Sequence, residues 1–240
     1  MNIIVFLALF LPVVLSGSSF FLIKTGEKTL KLILAFGGAF LLSLSFIGLI
    51  PEIYKSSISD KIGLFILLGF FIQLLLDFLT KGVEHGHNEQ HSHEKAVNPI
   101  AIMIGICVHS FLEGMPLATN NVAPELKNTL LTGIVIHNIP ISIVLMSLLI
   151  FSGMKRRSAI ILLFVFALSA PLGTVSSYLI GSGIKENLTD YFDIILAMVV
   201  GIFLHISTTI LFETDEHHHF NLYKFIAIVI GAAVALLILH

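Results

Sequence analysis

Residues 99–118 read PIAIMIGICVHSFLEGMPLA, an apolar run long enough to cross a lipid bilayer as one helix. The same run contains a histidine, His109, and a glutamate, Glu113. An ionisable side chain near the centre of a bilayer costs at least about 2.5 kcal/mol on insertion scales, so each one needs a partner or a function. This stretch therefore indicates both a membrane-spanning fold and a polar site inside it.

The composition of the whole chain also indicates a membrane protein. Hydrophobic residues make up 56% of the 240 residues and charged residues only 12%, whereas soluble domains carry about 25% charged residues. The chain has no basic block, which argues against a nucleic-acid partner. Its one cysteine, Cys107, excludes an intrachain disulfide.

Apolar runs of about 20 residues recur along the chain and predict an all-α membrane protein with eight transmembrane helices. The first run has no basic residue before it, which favours a helix over a cleaved signal peptide. No segment is left over for a soluble domain, so we predict a single polytopic transmembrane domain over residues 1–240. The predicted spans are 2–23, 32–51, 62–80, 99–118, 129–152, 158–180, 194–212 and 222–239.

The lysine and arginine distribution predicts that both termini are extracytoplasmic. Eight spans put both termini on one side, and the termini-out arrangement places nine basic residues in inner loops and four in outer loops. Under this topology residues 81–98 form a histidine-rich cytoplasmic loop, and a second inner loop holds the histidines at 217–219. Such tracts bind metal loosely, and a solvated polar loop without function is the alternative.

Four ionisable residues lie near the middle of predicted spans: His109, Glu113, His137 and His205. His109 and Glu113 are four residues apart and therefore share a helical face. Imidazole nitrogens and a carboxylate at one depth form a donor set suited to a first-row divalent metal. For His205 alone, a packing or interhelical hydrogen-bonding role is an equal alternative.

Two further polar residues adjoin these candidates. Ser110 follows His109 and Asn138 follows His137, so both are candidate weak ligands or hydrogen-bond partners of the ligands. In the third span, Gln73 and Asp77 lie nearer the inner end, and Asp77 is predicted to be an interfacial carboxylate.

Prolines follow the candidate ligands in two spans. Pro116 and Pro140 each come three residues after a candidate, Glu113 and His137. A proline has no N–H, so each frees a main-chain carbonyl four residues before it. Within a membrane, such discontinuities are tolerated where a helix lines a cavity, and they occur at transporter binding sites.

With HSFLEG at 109–114 and HNIPIS at 137–142, the chain resembles the ZIP (Zrt/Irt-like) family of divalent metal transporters. The histidine-rich loop, the eight spans, GGAFLLSLSFIGLIPE at 37–52 and GIFLHISTTILFE at 201–213 extend the resemblance over essentially the whole chain. It implies a ZIP-like helical bundle with a metal site near the midplane on spans four and five. It also implies uptake of zinc, iron or a related divalent ion toward the cytoplasm, with an elevator-like movement.

The chain departs from the family pattern at three positions. Ile141 and Ala170 stand where many members have a ligand, and Gly48 stands where many have a histidine near the end of span two. These departures imply a mononuclear site with fewer carboxylates. The predicted direct ligands are His109, Glu113 and His137, and the site is completed by water, Ser110, Asn138 or His205.

The expected function is therefore transport of a divalent metal ion, with zinc favoured and Fe²⁺, Mn²⁺ and Cd²⁺ left open. The metal is a substrate, no cofactor is expected, and protonation of the imidazole ligands in acid should weaken binding. The expected partners are the metal ion and the lipid bilayer, a homodimer stays open, and the expected location is the inner membrane of a bacterium. An intramembrane zinc hydrolase is the alternative, but the chain lacks HExxH and GxSxG.

Overall fold

The fold is that of a helical membrane protein. The structure is a computed structural model that describes residues 3–22, 26–80, 99–118, 123–184, 188–212 and 222–239. Within these ranges every regular element is helical, which confirms the predicted all-α class. The predicted histidine-rich loop 81–98 and the histidines at 217–219 lie outside the described residues.

The described residues form eight helices, named α1 to α8 in chain order, which correspond to the eight predicted spans. The second helix, α2, contains a π-helical segment, and the fourth, α4, is followed by a short 3-10 turn. The bounds are Ile3–Ser19 for α1, Glu27–Ser43 continued by Leu44–Leu49 and Ile50–Ile53 for α2, Ser59–Thr80 for α3, Pro99–Gly114 and the turn Met115–Ala118 for α4, Pro124–Phe151 for α5, Arg156–Gly183 for α6, Leu188–Phe212 for α7 and Leu222–Leu239 for α8.

Seven of these helices, α2 to α8, are long and apolar enough to cross a membrane. The first helix is apolar but has 17 residues, fewer than the predicted span 2–23. The fifth helix begins five residues before its predicted start because Pro124 suits the first turn of a helix, where no intrahelical donor is needed. The orientation of the termini stays a prediction.

Two apolar clusters form the interior. One takes its residues mainly from α2 and α7, with Ile62 of α3 and Ala235 of α8, and the other from α1, α4 and α6. The fifth helix contributes to both, with Leu126, Leu130 and Ile134 in the first cluster and Ile141 and Leu145 in the second. The middle of α5 therefore lies where the two clusters meet.

Glycines allow α4 and α6 to approach each other closely. A methyl group added at Gly114 would overlap the backbone of Ala170, and one added at Gly173 would overlap the backbone of Phe111. Small residues at helix crossings let membrane helices pack backbone to backbone. This crossing fixes the C-terminal end of α4, where Glu113 lies, against α6.

A second close crossing joins α3 to α7. Gly69 of α3 lies against the backbone of Met198, and Gly201 of α7 lies against the backbone of Ile66. The contact places the middle of α3 beside the middle of α7, and it brings the polar residues that follow on both helices toward each other.

Candidate metal site

Three predicted ligands converge where the two apolar clusters meet. One donor atom from each of His109, Glu113 and His137 lies within 4.8 Å of the others, and all three side chains are fully buried. Within the part of the chain that the structure describes, this is the one group of three or more histidine, cysteine or carboxylate side chains with such spacing. The structure thus brings together half of the six predicted site residues.

Local helix geometry explains two of the three positions. His109 and Glu113 are four positions apart, so both project from one face of α4. Nε2 of His109 lies 3.1 Å from Oε1 of Glu113. His137 comes from α5, and its ring centroid lies 5.8 Å from that of His109, with the planes 80° apart. An edge of one imidazole therefore faces the other ring across the helix contact.

The spacing of these donors suits a small divalent ion. Zinc bonds imidazole nitrogen and carboxylate oxygen at about 2.0–2.2 Å, so two ligands of one tetrahedral ion lie about 3.3 Å apart. The 3.1 Å separation between His109 Nε2 and Glu113 Oε1 is close to this distance. Glu113 Oε2 has no hydrogen-bond partner among the described residues, so this buried oxygen is available as a metal ligand.

The prolines affect the backbone of the two helices that carry the predicted ligands in different ways. The α-helical part of α4 ends at Gly114, and Pro116 lies in the 3-10 turn that follows. Thr174 of α6 donates a hydrogen bond to the Gly114 carbonyl at 2.8 Å, which supports the end of α4. The fifth helix stays helical through Pro140, so the predicted discontinuity there is limited to a missing backbone donor.

Residues of α2 and α3 enclose the site from the other cluster. Gly37 of α2 faces the Cα of His137, and a Cβ at Gly37 would lie 3.8 Å from that atom. Gln73 of α3 is fully buried, and its Oε1 lies 2.9 Å from Nδ1 of His109. Residues of α2 and α3 thus contact the two histidines of the group.

Gln73 is a contact residue of this site for which no role was predicted from the sequence. A polar amide within an apolar span was the signal that could have identified it, because amide side chains in membranes hydrogen-bond to polar groups of neighbouring helices. Its distance from the predicted ligands along the chain concealed the contact, which depends on how α3 packs against α4.

Ser110 and Asn138, which follow the predicted ligands His109 and His137 in the sequence, are both buried. Asn138 Oδ1 has no hydrogen-bond partner within the described part of the chain. An amide oxygen is a weak but adequate ligand, and it can also accept a hydrogen bond from a metal-bound water. Both residues remain predicted candidates to complete the coordination of the metal ion.

His205 is not grouped with the other three predicted ligands. Its Nε2 lies 3.6 Å from Oδ2 of Asp77, and its ring packs edge to face against Phe70 at 4.9 Å between centroids. Asp77 is 19% exposed, in agreement with a position nearer the end of the third span. Because Gln73 and Asp77 are four residues apart on α3, one helix contacts His109 with the first and His205 with the second.

The positions that depart from the family pattern are apolar and packed. Ala170 lies against Gly114, next to Glu113 in the chain, so a longer acidic side chain there would start beside the site. Ile141, one turn after His137, is buried in an apolar cluster. Gly48 packs against Leu126, which is 11 residues before His137, or about 16 Å along α5.

Comparison with known proteins identifies related sequences. The family model described as ZIP Zinc transporter matches residues 83–239. The chain is 28% identical over 158 residues to Zinc transporter ZIP9-B of Xenopus laevis, covering 64% of this chain and 52% of that protein. It is also 28% identical over 152 residues to Zinc transporter ZIP9 of Micropogonias undulatus, covering 61% of this chain and 49% of that protein.

These relatives bear on location as well as on family. The chain spans about half the length of the curated relatives that it matches. Its apolar helices and the family match together indicate a multi-pass membrane protein. The relatives are vertebrate proteins, so they give no support to the predicted inner membrane of a bacterium.

Proposed function

Because the chain belongs to the ZIP zinc transporter family, we propose that it carries a divalent metal ion, preferably zinc, across a membrane through a site formed by His109, Glu113 and His137. The observation that carries this proposal is the convergence of three buried donors from α4 and α5. The relatives are zinc transporters by name, which supports zinc as the substrate. Family membership also favours a transporter over the intramembrane hydrolase.

The charge of the triad suits a site that must release its ligand. Glu113 supplies one negative charge and the two imidazoles supply none, so the triad neutralises half the charge of a divalent ion. A transporter must bind well enough to load and weakly enough to unload. A site with one carboxylate meets that requirement better than a carboxylate-rich pair of sites.

We propose that the site holds one ion at a time. Two positions near the triad that the resemblance associates with ligands are occupied by Ala170 and Ile141, which have no donor atoms. Both side chains are buried and offer no metal-binding atom, so a second ion would lack these ligands. Ser110, Asn138 or water then completes the coordination of the single ion.

Transport requires the buried triad to become accessible from each side of the membrane in turn. In this structure all three side chains are fully buried, so an ion can enter or leave only when helices move. The triad lies where the two apolar clusters meet. Such a movement would displace α4 and α5, which carry the triad, relative to the helices packed against them.

The proposed direction is uptake toward the cytoplasm. The distribution of lysine and arginine supports a topology with both termini outside, within a single transmembrane domain over residues 1–240. In that topology the histidine-rich segment 81–98 follows α3 on the receiving side. Its loosely binding histidines would accept metal that leaves the buried site.

Uptake by purified protein tests the function and the site together. Proteoliposomes containing the full chain are loaded with a metal-sensitive dye and exposed to Zn²⁺, Fe²⁺, Mn²⁺ or Cd²⁺ in turn. The wild type should accumulate zinc fastest, and Glu113→Ala should reduce accumulation to the level of empty vesicles. The loss follows because the triad then has no anionic ligand for the ion.

Glu125→Gln is the matched control. Glu125 is an exposed carboxylate in the first turn of α5, away from the triad, and its replacement should leave the uptake rate unchanged. Zinc binding by the wild type without accumulation inside the vesicles would refute transport. Wild-type uptake by Glu113→Ala would refute the site.

A further inference from the structure

We infer that Gln73 is a positioning residue for the metal ligand His109, with its side-chain carbonyl holding the imidazole in the tautomer that can bind metal. The inference rests on the proposed function, because it assigns a role to a neighbour of the proposed site. It adds a third helix, α3, to the two that supply the ligands.

The geometry places Gln73 at the far side of the His109 ring from Glu113. Oε1 of Gln73 is 2.9 Å from Nδ1, and Oε1 of Glu113 is 3.1 Å from Nε2. The three side chains are fully buried, so bulk water does not compete for these contacts. One ring nitrogen thus faces the proposed metal position and the other faces an amide.

The single proton of a neutral imidazole determines which ring nitrogen of His109 can bind metal. A neutral ring carries one proton, on either Nδ1 or Nε2, and a metal binds only the nitrogen that has none. If Nε2 of His109 is the ligand, the proton is on Nδ1, and Nδ1–H then needs an acceptor. Oε1 of Gln73 lies at hydrogen-bonding distance for that purpose.

The hydrogen bond also fixes the orientation of the ring. Histidine ligands generally donate their second N–H to a carbonyl or carboxylate, and loss of that acceptor lowers metal affinity about 10–100-fold. Here the acceptor comes from a helix of the other apolar cluster. Gln73 therefore links the orientation of a ligand on α4 to the position of α3.

The test measures zinc-dependent uptake by proteoliposomes and zinc affinity of the purified full chain by equilibrium dialysis. Gln73→Met keeps the approximate length of the side chain and removes the strong acceptor. We expect it to raise both KM and Kd for zinc about 10–100-fold, with kcat within about twofold of wild type. Gln73→Glu restores an acceptor and should return both constants to within about threefold of wild type.

A spectroscopic readout separates positioning from mere packing. In protein labelled with ¹⁵N-histidine, the His109 resonances are assigned by their loss in His109→Ala. The wild type should show the proton of His109 on Nδ1, and Gln73→Met should populate the other tautomer. A packing role alone would leave the tautomer of the folded protein unchanged.

Thr129→Val is the matched control. Thr129 is also fully buried, and its hydroxyl donates to the Glu125 carbonyl within α5 at 2.8 Å, so the substitution removes a buried hydrogen bond away from the triad. Its KM should match that of the wild type.

Two outcomes would overturn the inference. One is an unchanged KM in Gln73→Met, whether or not kcat or the amount of folded protein falls, and the other is no recovery in Gln73→Glu. Parallel measurements on Glu113→Ala separate this failure from that of the proposed function. If Glu113→Ala abolishes uptake while Gln73→Met behaves as wild type, the site stands and only the role of Gln73 is refuted.

Discussion

Among the described residues, two histidine–carboxylate pairs lie within the helical bundle, and their surroundings differ. His109 and Glu113 share one face of α4, their side chains are fully buried, and 3.1 Å separates the nearest nitrogen and oxygen. His205 and Asp77 come from different helices, α7 and α3, at 3.6 Å, and Asp77 is partly exposed. The first pair has His137 within 4.8 Å, whereas the second belongs to no such group of three among the described residues.

This difference in surroundings predicts different roles for two pairs of the same residue types. A buried carboxylate without a compensating positive charge is costly, and a divalent ion provides that charge. The His205–Asp77 pair has no third such side chain at ligand spacing within the described ranges, and Asp77 is 19% exposed, so the pair lies outside the proposed site. We therefore expect substitutions in the first pair to change transport strongly and those in the second pair to change it weakly.

The largest contrast is expected between the two carboxylates. Glu113→Gln keeps the size of the side chain and removes its charge, so initial zinc uptake in proteoliposomes should fall more than about 100-fold, beyond the usual effect of losing an outer hydrogen-bond partner. Asp77→Asn should retain uptake within about threefold of wild type. Equal losses in the two variants would show that the pairs form one functional unit.

A smaller contrast is expected between the histidines that face these pairs. His137→Ala removes the only triad ligand contributed by α5, and we expect KM for zinc to rise at least about 10–100-fold, because a ligand matters no less than its supporting residues. His205→Ala should raise KM less than about threefold. Competition by Cd²⁺ in the same vesicles reports ligand loss independently, and the reverse ranking would place His205 in the site.

The smallest contrast concerns protein stability, at the crossing of α4 and α6 beside the site. Gly114→Ala forces a methyl group into the backbone of Ala170 and should lower the free energy of unfolding by about 1–3 kcal/mol. Gly183→Ala is the control, because no atom lies within 4 Å of its added Cβ. Thermal unfolding in detergent should show a lower Tm for the first variant only, and identical Tm values would contradict the close crossing.

Most of the fold could be predicted from the sequence, because a helix that crosses a bilayer must satisfy its backbone internally and present apolar side chains outward. That constraint acts within one segment, so an apolar run such as 99–118 is enough to predict the helix that it forms. The ends were less accurate: α1 is shorter than its predicted span, and α5 begins at Pro124 before the apolar run. Helix ends depend on capping and packing as well as on hydropathy.

The candidate site could be predicted only in part. The spacing of His109 and Glu113 predicts that they share one helical face, and their common depth in the predicted spans groups them with His137. The metal-binding role of all three stays a prediction. The contact of Gln73 with His109 and that of Asp77 with His205 were not predicted, because each joins residues of different helices.

The sequence by itself determined the membrane-spanning class, the approximate positions of the helices and the pairing of His109 with Glu113. Each of these follows from hydropathy or from the 3.6-residue repeat within one segment. Only the tertiary structure decided that His137 joins that pair, that His205 faces Asp77 and that Gln73 contacts His109. Those choices depend on which helix faces pack together. Glycine contacts such as Gly69 of α3 with Met198 of α7 allow that packing through their shape, which no pattern within a single helix shows.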